Sequence, residues 1–117
     1  MKRLALILML VAAPVSSQEV TAGTGVMLRG LDKIDGFHSD IEIGAGQSVA
    51  FGQLNIELQS CRYPDGKPSG DAFAYLIIRE NDAAAPIYSG WMIASSPALN
   101  ALDHARYDVW VMRCTTS

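Results

Sequence analysis

The ten residues SSPALNALDH, 95 to 104, bring two hydroxyls, an amide, a carboxylate and an imidazole into one short stretch. A serine nucleophile, a histidine base and a carboxylate that orients the imidazole are the parts of a hydrolase. Here Ser95 or Ser96, His104, and Asp103 or Asp108 would fill those roles. The spacing argues against it. On a helix Ser96 and His104 stand about 12 Å apart along the axis, against the roughly 3 Å that proton transfer needs. No GxSxG turn accompanies them, and His38 is the other imidazole in the chain. The same residues make a helix start and stop. Ser96 is a good N-cap and Pro97 a good first helical residue; Ala98, Leu99, Ala101 and Leu102 favour helix, with the leucines on one face; His104 suits a helix C-terminus. The expectation is one short helix before the last strand and no enzyme, with a small hydrolase using a serine and His104 as the alternative.

Other residue groups carry less chemistry. DKIDGFHSD, 32 to 40, departs from calcium-loop spacing, and Asp35-Gly36 suits a hairpin turn. YPDGKPSGD, 63 to 71, reads as a turn-rich surface loop. Trp91, Trp110, Tyr88 and Tyr107 would form a sugar-stacking or partner-binding patch if exposed, although indoles in a small domain are more often core. A carbohydrate or cell-wall-binding module using exposed tryptophans is thus a second alternative. The expected contact surface lies between Ser89 and Asp108 and includes Trp91, Ser95, Ser96, Asn100, His104 and Tyr107.

The chain starts with two cations, an uncharged run from Leu4 to Ala13, then Pro14 and small residues, the order of a secretory signal peptide. The run is about half of the ~20 residues a membrane span requires, so residues 1–17 are read as a cleaved signal, 18–24 as a flexible arm and 25–117 as a single β-domain, in the periplasm or secreted. Losing Lys2 and Arg3 leaves seven Lys and Arg against twelve Asp and Glu, a net charge of −5 with the histidines neutral. The remaining cations are dispersed, which excludes nucleic acid and disfavours anionic lipid headgroups. Cys61 and Cys114 are the only thiols. In an oxidising compartment that combination reads as one structural disulfide. Neither the close pairing of a redox dithiol nor that of a zinc site is present, and no metal or cofactor is expected.

Strand signals dominate the rest. Residues 25–33, 39–43, 48–51, 54–61, 73–80, 86–93 and 107–114 are short, rich in β-branched or aromatic residues, and bounded by turn formers. Gly52-Gln53 suits a type II′ hairpin between the third and fourth. In LNIELQS apolar and polar residues alternate, so that strand has one wet face. FAYLIIRE and YDVWVMRC are apolar on both faces and should be covered on both, by a second sheet and by the short helix. The expected fold is mainly β, a compact antiparallel sandwich or small barrel of about seven strands. Cys61 falls on the polar parity of its strand, which calls for a bulge or the strand's end before it. The two cysteine-bearing strands should finish as parallel neighbours or face each other across the core.

VxFGxLxIxxxxC (49–61), a two-proline loop, and the SGWM, ASSPxLxAL and YDVWVxxC blocks between 89 and 114 resemble the secreted bacterial proteins grouped as the domain of unknown function 2155 family. The resemblance covers roughly Gly25 to Cys114. It implies an envelope-directed single domain with this cysteine pair and assigns no residue a role. The expectation is a non-enzymatic, disulfide-stabilised periplasmic binding or accessory module, whose partner is an envelope protein or cell-wall component.

Overall fold

The computed structural model describes residues 19–81 and 83–116. The expected signal segment and Gln18 lie outside the described residues. Eight strands run in chain order: β1 Val20–Ala22, β2 Gly25–Asp32, β3 His38–Gly44, β4 Ser48–Phe51, β5 Leu54–Pro64, β6 Phe73–Glu80, β7 Tyr88–Ile93 and β8 Tyr107–Thr115. They form two antiparallel sheets: β1-β5-β6-β7, with β4 also on β5, and β3-β2-β8. The fold is therefore a sandwich and not a closed barrel.

β4 and β1 lie end to end along the edge of β5 opposite β6, since Leu54 to Glu57 pair with both β4 and β6, and Arg62 with both β1 and β6. Gly46, Gln47 and Gly23 fill the gap between them with backbone hydrogen bonds to Leu58 and Cys61. β1 falls in the stretch expected as an arm. From it the chain crosses at Gly23-Thr24 to the other sheet, where Thr24 N–H donates to Thr115 O at 2.8 Å.

Alternation sets the core. Leu54, Ile56 and Leu58 on β5 and Ala74, Leu76 and Ile78 on β6 point inward against Val26 and Leu28 on β2, Ile41 and Ile43 on β3, and Val109 and Val111 on β8. Full burial of each large aliphatic side chain favours the fold by about 1.5–3 kcal/mol. At the Phe51–Leu54 hairpin Gly52 has φ +56°, and a Cβ there would meet Tyr107 Oη at 2.4 Å. The turn needs glycine for its conformation and for the phenol, which accepts from Gln53 N–H at 3.1 Å.

Both cysteines follow a β-bulge. The β5–β6 register shifts between Leu58 and Ser60, and the β2–β8 register shifts opposite Met112. Each extra residue reverses the side-chain parity, so Cys61 and Cys114 turn into the core. There they form a disulfide across the sandwich, with Cα atoms 5.7 Å apart. Of the two arrangements open from the sequence, the cysteine strands face each other between sheets.

The expected short helix is absent. β7 and β8 run in the same direction, so residues 94–106 must climb the length of the sandwich between their outer edges. Extended chain covers about 3.3 Å per residue against 1.5 Å for helix. Pro97 begins a single turn, closed by Leu99 N–H to Ser96 O at 3.0 Å. It ends at Asn100, whose carbonyl accepts from buried Tyr88 Oη at 2.9 Å. The leucines expected on one face then separate: Leu102 enters the core, whereas Leu99 is 74% exposed. Because this strap closes the side of the sandwich and not a face, the second cover expected over β6 is missing as well. Ala74, Leu76 and Ile78 are buried, while Phe73, Tyr75 and Ile77 are half-buried on the outer face.

Candidate functional site

That outer face is the most distinctive surface of the molecule. The register aligns Ala22, Arg62, Phe73 and Ile93 in one cross-strand row and Ser60, Tyr75 and Trp91 in the next. Cross-strand neighbours on one face are about 5 Å apart and pack directly. Tyr75 meets Trp91 edge to face, ring centroids 5.3 Å apart, and the Arg62 guanidinium lies over the Trp91 ring, 5.4 Å from its centroid. Val20, Arg62, Phe73, Trp91 and Ile93 line a shallow, largely apolar depression of about 310 Å³. Trp91 is 37% exposed and Val20 40%. The outer face of the other sheet is mixed: Arg29 on β2 is paired with Asp40 on β3 at 2.9 Å, and Glu42, Asp108 and Arg113 add further charge among Met27, Leu31, Trp110 and Met112.

The residues expected to form a contact surface are dispersed, and most are consumed by structure. Trp91 alone joins the outer face. Ser95 Oγ donates to Asp71 Oδ2 at 2.6 Å and Ser95 N–H to Oδ1 at 3.0 Å. Burial of Asp71 acts to raise its pKa, but these bonds and the Ala72 N–H outweigh it and hold the carboxyl below its ordinary value. Ser96 is exposed at the turn. Asn100 Nδ2 donates to Trp91 O at 2.9 Å, capping the outer edge of β7. Tyr107 is buried, 2% exposed, with its ring edge-on to Phe51. The tryptophan and tyrosine patch does not assemble either, since Tyr88 is buried and Trp110 lies on the outer face of the opposite sheet.

His104 is held at both nitrogens. Nδ1 accepts from the N–H groups of Arg106 at 2.9 Å and Tyr107 at 3.2 Å, which leaves the proton on Nε2 for the carboxylate of Glu80. Neither serine bonds the ring, and a base whose lone pair already accepts two backbone donors has none to offer a nucleophile. Beside it, buried Asp32 receives Arg106 Nε at 3.0 Å and Nη2 at 2.8 Å, and also Ile34 N–H at 3.0 Å. The hydrogen bond from Arg106 holds the Asp32 carboxyl below the usual range against the opposing effect of burial. His38, the other imidazole, is exposed on edge strand β3. Among the described residues no group of three or more His, Cys, Asp or Glu is placed to hold a metal ion.

A family model described as "Uncharacterized protein conserved in bacteria (DUF2155)" matches residues 26–114. The chain belongs to the DUF2155 family. The matched segment contains both cysteines, the strap and Arg62, Phe73, Tyr75, Trp91 and Ile93 of the outer face. The chain is similar to the uncharacterized protein RP359 of Rickettsia prowazekii (strain Madrid E), 26% identical over 87 residues, which covers 72% of this chain and 56% of that relative. It therefore spans little more than half the relative's length. No solved structure matches this DUF2155 chain at a significant level. Phe73, Tyr75 and Ile93 were legible as strand residues and not as a surface, while Arg62 fell just past the expected end of its strand at Cys61, which the structure extends to Pro64. The signal that marks them is a strand apolar on both faces whose second cover exists only if a helix forms.

Proposed function

We infer that this DUF2155 protein is an exported, non-enzymatic binding module that presents the outer face of the β1-β5-β6-β7 sheet to a protein partner in the cell envelope. The observation that carries this reading is the two adjacent rows with Phe73, Tyr75, Trp91 and Ile93 at the surface and Arg62 as their single charge, whereas the other outer face interleaves its apolar residues with several charges. Aromatic residues and arginine are the types enriched at protein interfaces and at their energetic centres. Export is supported by the leader pattern of residues 1–17 and by the disulfide, which persists in oxidising compartments. The non-enzymatic reading is supported by His104 and Ser95 being held by Glu80, backbone and Asp71. A sugar-stacking role is less favoured, because Arg62 and Tyr75 already pack against the Trp91 indole.

Photo-crosslinking in intact cells tests this. A benzoyl-phenylalanine in place of Ile93 is expected to give a discrete protein adduct in the envelope fraction, and one in place of Met112 on the opposite sheet is expected to give none. Adducts from position 112 alone would locate the interface elsewhere and defeat the proposal.

A further inference from the structure

Three of the seven described Lys and Arg residues are ion-paired, and of the four that are not, Arg62, Lys67, Arg79 and Arg113, Arg62 is the one whose guanidinium lies over an aromatic ring. Arg29 is paired with Asp40, Lys33 with Asp108, and Arg106 with Asp32. Among the described residues Arg62 has no carboxylate within ion-pair distance, in a chain where acids outnumber bases. Neither the acid on β5 nor the one in the turn after it pairs with Arg62. Asp65 takes the Thr21 hydroxyl, and Glu57 stands across from Ile77, one row beyond Ser60, Tyr75 and Trp91. A guanidinium laid on an indole is fixed in orientation and partly dehydrated, while its N–H edge stays free for a planar anion. It also forms one wall of the depression whose remaining walls are Val20, Phe73, Trp91 and Ile93.

We propose that the segment docking on this face presents an apolar side chain next to a carboxylate. The apolar group fills the depression, the carboxylate pairs with Arg62, and the charge of Arg62 selects the partner. This rests on the outer face being a protein-docking surface, as inferred above. Charge complementarity specifies the acid, because an unpaired cation beside apolar walls is matched by an anion and mismatched by a cation. The shape favours a protein segment over a lipid. The depression is shallow and at the small end of ligand clefts, so an extended acyl chain would stay largely in water, whereas a side chain or two would be covered.

Selection of short random peptides displayed on phage against the purified protein, followed by affinity measurement on synthetic copies of those enriched, tests the proposal. The enriched peptides are expected to carry Asp or Glu within two positions of a large apolar residue. Arg62→Glu is expected to weaken them by about tenfold or more, and exchanging the peptide acid for Lys is expected to restore binding to Arg62→Glu. Arg62→Met, which keeps the apolar stem, should also weaken them.

Peptides lost on Phe73→Ser or Ile93→Ser but indifferent to Arg62→Glu would overturn the charge inference and leave the docking face standing. Peptides indifferent to all of these variants, or no enrichment at all, would remove the docking reading itself. Binding to phosphatidylglycerol vesicles that depends on Arg62, with no such peptide found, would make a lipid the occupant and overturn the proposal.

Discussion

The strap from Ala94 to Arg106 and the outer face of β1-β5-β6-β7 divide the chain's side chains in an unexpected way. The strap holds Ser95, Asn100 and His104, residue types that do chemistry elsewhere, and their polar groups are spent on closing the backbone: Ser95 on Asp71, Asn100 on Trp91 O, His104 on Glu80 and two N–H groups. The face holds Phe73, Tyr75 and Ile93, types that elsewhere fill cores, and they stand partly in water. A connection with no regular hydrogen-bond ladder must find partners for its backbone groups from side chains, so polar residues collect there for structural reasons. A sheet face makes no such demand, because its backbone groups are paired in the ladder, and the apolar residues on it gain only their packing against cross-strand neighbours.

The contrast presupposes one rigid frame beneath both regions, and the Cys61–Cys114 bridge is its strongest tie. Arg62 of the face follows Cys61 directly, and the strap leads into the strand that carries Cys114. Replacing both cysteines by alanine is expected to lower stability by about 2–5 kcal/mol, the largest effect anticipated for any variant considered. Guanidinium unfolding of the oxidised protein and the double variant measures it. A change below about 1 kcal/mol would mean that the sheets hold each other without the staple.

How much of this was legible in the sequence follows from the same contrast. Strand positions were, because apolar and polar residues alternate with period two and Gly or Pro mark the ends; the Gly52-Gln53 hairpin and the bulge before Cys61 were readable on those grounds. The strap was not. SSPALNALDH has a sound local case for helix, but Tyr88 reaches from the core to take the Asn100 carbonyl, and Leu102 turns into the core between the two sheets. Those contacts come from residues distant in the chain and override propensity. The exposed apolar face was hidden for a linked reason: once a helix is expected, an apolar second face on β6 looks covered. Arg62 could be recognised only from the register that sets it beside Phe73 and against Trp91.

Acid should loosen the strap at both ends. Asp71 grips its start through Ser95, and Asp32 grips its finish through Arg106, and both carboxyls have pKa values below the ordinary 3.8. A depressed native pKa means that these contributions are complete above the unfolded value and disappear as pH falls through the native one. The urea midpoint is therefore expected to drop below about pH 4, and the Asp32→Asn, Asp71→Asn double variant should be less stable at neutral pH with a shallower acid slope. The effect should be smaller than that of the bridge. An acid slope identical in the variant would show that other carboxylates carry it.

The smallest effect on folding is expected where the effect on binding is largest. Phe73 and Ile93 are half-buried and sit on a sheet face with no cover. Converting both to serine removes little buried apolar area, and the strand pairing on either side, β5 to β6 and β6 to β7, is backbone-mediated and unaffected. The unfolding free energy should move by no more than about 1 kcal/mol, and expression and the disulfide should be unchanged. A face maintained for folding would behave otherwise: serine at these positions would cost what core substitutions do, several kcal/mol, and the protein would melt with the cooperativity loss of a damaged sheet. The comparison between strap and face therefore turns on a simple asymmetry. If the double serine variant is as destabilised as an alanine at Leu102, which the strap buries in the core, the outer face is part of the fold's own support and its aromatic rows need no partner to account for them.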